Sequence, residues 1–452
     1  MSPFPVLRRT AARAIDAVRH HGPPGRTRLL LGLLGAVFGL QAADMSTLGA
    51  TAPLLEAGLG FSHAQIGALA STSAVVGVLA TLPVGVLADR VNRVRLLRIV
   101  VVLWTVGMVW VGLSSTFAMM LMARAMLGAV AAAAGPIAAS LVGDVVAPDE
   151  RGHVFGRLLL AQLAGTTVGV TVSGEIGGLI GWRWAYWWLA AVGLVIVALL
   201  GKATEPRRRS SSDDSSARLP LWRAAGRVLR IKTNLVLIVA SAFGYYFFAG
   251  VATFGLSYLR TAFGIGQVAA PAILVVLGLA GAAGVLVGGR VADRLVRKKV
   301  RAGRVWAVLG AFGGAVVFLV TALVASTLWV TLPLLVAGAA LLGAANPPLD
   351  AARIDIVPRP LLGRAEAIRS VLRSGADASA PVTFGLLAGS LGMGHTFLLM
   401  TAPLVVAFGL GAIALHTYPD DVAAAESGST SKRASPRANH SADADASLRS
   451  AS

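Results

Sequence analysis

A chain of 452 residues would ordinarily hold two or three soluble domains, but this one is 56% hydrophobic and only 13% charged, against about 25% charged in soluble domains. That balance excludes a secreted domain, a disordered chain and a cytosolic enzyme, and leaves a polytopic membrane protein. The formal net charge of +19 reads as the Lys/Arg surplus of cytoplasmic loops rather than as a nucleic-acid surface, and the lack of cysteine excludes disulfides, thiolate metal sites and a cysteine nucleophile.

The chain opens with a basic segment, 1–27. In it Val6, Leu7, Ala11, Ile15 and Val18 share a helical face, with Arg8, Arg9, Arg13 and Arg19 mostly elsewhere. It reads either as a helix on an anionic membrane surface or as a disordered basic arm; no cleavage site marks it as a signal. A spanning helix needs about 20 mostly apolar residues. Such runs fall near 28–50, 64–87, 96–114, 117–142, 154–180 and 185–202, which form an N-terminal bundle over 28–202. A polar linker, 203–231, carries Arg207, Arg208, Arg209 and a serine-rich stretch. A second set near 232–257, 268–294, 304–325, 328–356, 364–391 and 394–416 forms a C-terminal bundle over 232–416, followed by a polar tail, 417–452, expected to be disordered. The sequence thus predicts an all-α membrane protein with twelve transmembrane helices, since only helices or closed barrels satisfy the backbone in lipid and no alternating strands are visible. Basic residues gather on one set of loops: Arg90, Arg93, Arg95, Arg98, Arg151, Arg157, the linker arginines, Arg294, Arg297, Lys298, Lys299, Arg301 and Arg304. That asymmetry predicts a multi-pass cell-membrane protein with both termini cytoplasmic.

The two halves repeat. Gly85-Val86-Leu87-Ala88-Asp89-Arg90 and Gly289-Arg290-Val291-Ala292-Asp293-Arg294 share the pattern G-x-x-A-D-R, 204 residues apart. Asp144 with Arg151 and Asp355 with Arg364 recur at spacings of 211 and 213. Two weakly repeated six-helix halves are the mark of a rocking transporter with its site near mid-membrane. The stretch from Gly85 through Arg95 resembles the loop signature G-x-L-x-D-R-x-G-R-R/K of the major facilitator superfamily, with Asn92 in place of the usual Gly, a change read here as tolerable because Asn accepts a left-handed backbone. Arg124-Ala125-Met126-Leu127-Gly128, Gly135-Pro136, Pro148 through Gly152, Gly177-Gly178 and Gly181-Trp182-Arg183 resemble the spinster-like branch, which includes proton-linked lysolipid carriers. That branch has a Glu seven residues beyond the helix-four Arg; here the position is Ala131, so lysolipid transport does not carry over. The helix-five text Gly165-x-x-x-Gly169 resembles the antiporter motif of the superfamily, with Val170 where Pro is expected.

Charge inside a span costs roughly 2.5–3.5 kcal/mol on insertion scales and needs a reason. At about 1.5 Å per residue, Asp44 lies about 24 Å from the inner end of the first helix and Arg124 about 27 Å from that of the fourth, so the two can face each other. They are the primary proton-coupling candidates, with Glu175 on the fifth helix as a second carboxylate. Gln41, Tyr245, Tyr246, Asn346, Arg373 and Asp377 are assigned to a substrate cavity; Arg369, Arg373 and Asp377, spaced i, i+4, i+8, share a face and read first as a gate network and second as a site for an anionic headgroup. Gly85, Asp89, Arg90, Arg93, Gly289, Asp293, Arg294, Arg151 and Arg364 are assigned to gating: Asp89 is expected to latch onto the start of the eleventh helix, and Asp293 onto that of the fifth.

No H-E-x-x-H, Ser–Lys or paired-Asp motif appears on an inward face, so no enzyme, cofactor or metal is expected; His63 and His395 sit at helix ends. The partners expected are protons, a small-molecule substrate and the bilayer, for a monomer. Two transport readings follow: proton-linked export of an amphipathic or hydrophobic molecule, supported by the poverty of amides and carboxylates in the helices, and proton-linked uptake of a small polar or anionic solute, which needs more convergent polar groups.

Overall fold

The computed structural model describes residues 24–146, 151–203, 226, 229–266, 269–325, 327–357 and 362–434. The basic segment before residue 24 and almost all of the linker lie outside these residues. Every regular element among the described residues is helical: α1 Pro24–Leu59, α2 His63–Arg90, α3 Arg93–Leu113, α4 Phe117–Ala131, α5 Ala134–Val145, α6 Arg151–Ile180, α7 Trp184–Leu200, α8 Lys232–Phe263, α9 Ala269–Arg297, α10 Gly303–Val324, α11 Leu328–Ala344, α12 Asn346–Ile356, α13 Leu362–Leu391, α14 Met393–Leu399 and α15 Ala402–Ala434. Ten stretches are long and apolar enough to cross a membrane. The sixth and eleventh predicted spans are α7, which is short at 17 residues, and α13, which is long but polar.

The helix starts follow local chemistry. Ser62 caps α2 in a reciprocal capping box with Gln65, and Thr116 caps α4 through Met119 N. Asn92 corrects the left-handed expectation. Its φ of −65° is extended, and its side chain accepts from Arg95 N as the N-cap of α3. The Gly-to-Asn departure is therefore an N-cap preference and not a turn requirement.

Two predicted helices are each broken in two. The fourth splits into α4 and α5 around Ala132–Ala133, where Ala133 N bonds Val130 O in a tightened turn. Pro136 lies four residues beyond Ala132, and its ring excludes the carbonyl of residue i−4 while removing an N–H. The tenth splits into α11 and α12 at Ala345. There Pro347 and Pro348 have the same effect on Gly343 and Ala344. A further departure is the last helix, which continues through Tyr418 to Ala434 where a disordered tail from 417 was expected. Its extension is tied down: Tyr418 Oη donates to Asp355 Oδ2 at 2.5 Å, Thr233 N donates to Asp421 Oδ2 at 3.0 Å, and Thr233 bonds Thr417 at 2.6 Å.

By packing, the chain divides into two compact units: Met1–Asp214 with Phe248–Gly278 and Ser374–Leu399, and Ser215–Phe247 with Leu279–Arg373 and Met400–Ser452. In the first unit, α1 and α6 run backbone to backbone: a Cβ on Gly165 would collide with Gly39, and one on Gly169 with Ala43 and Ser46. The helix-five glycines are thus contact surfaces. The same unit seats the far halves of α8 and α13 on the first six spans. Gly67 abuts the Pro381 backbone, Gly385 the His63 backbone and Gly49 the Ala252 carbonyl. Phe254, Phe384, Phe397 and Tyr258 form an aromatic cluster over them. In the second unit, α9 packs on α11 through Gly284 and Gly288. The repeat extends to these contacts: Gly77 approaches Gly128 O in the first unit, and Gly281, 204 residues on, approaches Ala339 O, 211 residues on, in the second.

Candidate functional site

Asp44 and Arg124 meet as expected. Arg124 Nη1 donates to Asp44 Oδ1 at 2.8 Å, and both residues are 3% exposed. Trp104 Nε1 of α3 donates to the other carboxylate oxygen, Oδ2, at 3.2 Å. Both oxygens of a carboxylate buried in a span are thus held by donors on two other helices, the condition under which an ionised acid persists without water. Arg124 is not saturated: its Nε has no hydrogen-bond partner among the described residues. Hydroxyl pairs follow along α1, Thr47 with Ser173 at 2.7 Å and Thr51 with Tyr186 at 3.0 Å. Trp104 escaped the sequence reading because a Trp in a span is usually packing; the signal available was that a buried indole N–H needs an acceptor.

Gln41, three residues before Asp44, donates from Nε2 to Ala131 O at 3.3 Å, a carbonyl released by the α4/α5 break. Ala131 is the position where the spinster-like branch carries Glu. Glu175 lies apart from this cluster, exposed on α6.

The repeated acids are each held by an arginine among the described residues. Asp144 is bound by Arg93, not shown with Arg151: Arg93 Nη1 reaches Asp144 Oδ2 at 2.5 Å, Ser140 Oγ at 2.8 Å and Ser140 O at 3.3 Å, with Arg93 only 1% exposed. Asp355 is bound by Arg304, which also donates to Ala351 O at 3.0 Å. Arg93 to Arg304, Ser140 to Ala351 and Asp144 to Asp355 are each 211 residues apart, so one clamp is built twice in the same register. Arg93, assigned to gating, is placed within the first unit. Gly85, Asp89 and Arg90 close α2, and Arg151 and Arg364 open α6 and α13, but their side chains lie outside the described ones. Gly289 is half-buried on α9, and Asp293 and Arg294 are exposed at its end.

In the second unit Arg353 reaches Asp350 at 3.3 Å and Glu366 at 3.4 Å; Arg369 reaches Glu366 at 2.5 Å and Asp350 at 3.3 Å. One turn on, the Arg373 guanidinium lies 3.6 Å from the centre of the Tyr245 ring. Tyr245 and Tyr246 are half-buried on α8. Asp377, in the first unit, is half-buried and engaged. Asn346, which opens α12, is exposed and donates back to the end of α11, at 3.5 Å to Leu342 O and Gly343 O. His63 bonds Glu56 at 2.7 Å and sets its ring edge-on to Phe254. Among the described residues no group of three or more His, Cys, Asp or Glu could hold a metal.

Residues 34–349 match the family described as Major Facilitator Superfamily. The chain is similar to the MFS-type transporter YwfA of Bacillus subtilis (25% identical over 61% of this chain and 66% of that protein). It is also similar to the "Probable sphingolipid transporter spinster homolog 1" of Arabidopsis thaliana (27% identical over 30% of this chain and 28% of that one). The chain thus spans less than two thirds of the length of either relative. Among solved structures, a bacterial homolog of the human lysosomal transporter Spinster, inward-facing and unoccupied, shares the fold with a TM-score of 0.77 at 19% identity, covering 88% of this chain and 99% of that one.

Proposed function

We propose that this chain, which belongs to the major facilitator superfamily, is a proton-coupled secondary transporter that works by alternating access and exports an amphipathic or hydrophobic small molecule. It is a membrane transporter and not an enzyme. The observation that carries the coupling reading is the buried Asp44–Arg124 pair with Trp104 on the second oxygen. An acid held this way is charged while its donors stay in place. When rearrangement withdraws Arg124 or admits water, the balance of charge partner and hydration changes and a proton is exchanged. Export of an apolar or amphipathic cargo is supported by the shortage of convergent amides and carboxylates beyond these clusters.

Purified protein in proteoliposomes is expected to move substrate in the direction opposite to the proton flow driven by an imposed pH gradient, and to lose that dependence when the gradient is collapsed. Substrate flux running with the protons rather than against them would replace export by the uptake reading. Gradient-independent flux would remove proton coupling altogether. A monomer in the cell membrane with both termini cytoplasmic is part of the same proposal. Cysteines introduced at Arg95, Ser211 and Ser435 should resist impermeant thiol reagents in intact cells, and labelling of all three from outside would overturn that orientation.

A further inference from the structure

Among the described residues, the basic side chains of α10, α12 and α13 are matched by acids with one exception. Arg304 has Asp355; Arg353 and Arg369 share Asp350 and Glu366, two charges against two. Arg373, the next turn of α13, makes no ion pair among the described residues; its recorded partner is the face of Tyr245, 3.6 Å away. It lies eleven residues from Leu362 at the start of α13, about 16 Å along the helix, in a hydrocarbon layer roughly 30 Å thick. A cation at that depth without a counter-ion marks a functional position by default.

The stacking geometry indicates what the site is for. A ring held against the guanidinium face occupies neither its edge nor its N–H groups. It fixes the plane of an otherwise flexible side chain and leaves the forked donors free to take two oxygens side by side. Carboxylates and phosphates present that pair of oxygens. Arg373 and Tyr245 are both half-buried rather than sealed.

We propose that Arg373, held flat on Tyr245, is a binding site for the anionic group, carboxylate or phosphate, of the transported molecule. This rests on the transporter reading but not on proton coupling. Binding can be measured at one pH without a gradient, so a failure of coupling at Asp44 leaves the result intact.

The test uses full-length protein in nanodiscs of phosphatidylcholine alone, titrated with octyl phosphate, octanoate, octyltrimethylammonium and inorganic phosphate by calorimetry. The two anionic amphiphiles should bind, and Arg373→Gln should weaken both at least tenfold. Arg373→Lys keeps the charge without the planar fork and should weaken them severalfold; it also serves if the Gln variant folds poorly. Tyr245→Phe should retain binding and Tyr245→Leu reduce it. The cationic amphiphile should bind less well and be indifferent to Arg373. Inorganic phosphate should compete with octyl phosphate in the wild type only. Equal affinity for either sign of headgroup, or unchanged anion binding in folded Arg373 variants, overturns the site. A further arm separates the two sources of such a group. If native mass spectrometry of protein from phosphatidylglycerol-containing membranes finds that lipid retained through Arg373 and not displaced by octyl phosphate, the site belongs to a fixed lipid and the substrate proposal fails.

Discussion

The proposed coupling rests on Asp44, and each of its oxygens has a separate donor. Asp44→Asn keeps the shape and one acceptor, so the protein should fold. It should lose gradient-driven transport while retaining substrate exchange, as read by counterflow in proteoliposomes; pH-driven transport persisting in a well-expressed variant would move coupling elsewhere. Trp104→Phe asks a different question. It preserves most of the buried apolar volume but removes the donor to Oδ2, leaving a carboxylate oxygen with no partner. Stranding a buried polar group costs about 1–3 kcal/mol, so thermal unfolding should fall measurably below wild type. A variant as stable as the parent would mean that water replaces the indole. The pair itself was legible from residue counting alone, because helix rise fixes depth. Trp104 was not, because nothing in the text of α3 sets it apart from a packing residue.

At the level of elements, the two halves carry one clamp in two strengths. Arg93 and Asp144 are 1% and 13% exposed at their side chains, whereas Arg304 and Asp355 are 21% and 31% exposed. Truncating one partner of a buried pair strands the other and costs about 3–5 kcal/mol, but a partly solvated pair is worth about 1 kcal/mol or less. Arg93→Ala should therefore lower the melting temperature several times more than Arg304→Ala; equal shifts would show that burial does not govern the clamps. The sequence spacing revealed the repeat but not the Arg93–Asp144 and Arg304–Asp355 pairs. Arg93 lies 51 residues before Asp144 and starts a helix that only the folded bundle brings back to it. The helix breaks were foreseeable from Pro136, Pro347 and Pro348, but apolar windows average over such local faults. The continuation of α15 past residue 417 was hidden for a further reason: its composition is that of a solvated tail, and its order comes from Asp355 and Thr233 contacts that composition cannot report.

Alternating access requires contacts on each side that are strong enough to hold and weak enough to break. The seal described within the first unit is made of backbone: Gly67 against Pro381 and Gly385 against His63. There is no flexible side chain to yield, so even a methyl group must push α13 away from α2. Overpacking of this kind costs about 1–3 kcal/mol, and the cost falls only on the conformation in which the seal is closed. Gly385→Ala should therefore shift the population toward the state with this side open by roughly 5- to 150-fold. For the other end of α2 we propose from the sequence that Asp89 latches onto the start of the eleventh predicted helix, a charge–dipole contact of about 0.3–1 kcal/mol, up to about 2 when partly buried. Removing it should shift the population the other way, by about five- to thirtyfold for 1–2 kcal/mol. Because Gly385 packs on the start of α2 at His63 and Asp89 lies at the other end of that helix, their effects should add. The Asp89→Ala/Gly385→Ala double variant should then return toward the parental balance. Spin-label distances measured across each end report this in one experiment. If Gly385→Ala alone leaves the distances at its own end unchanged, the backbone seal does not control the conformational equilibrium. If the double variant matches either single variant instead of lying between them, the two ends are not opposing sides of one rocking motion.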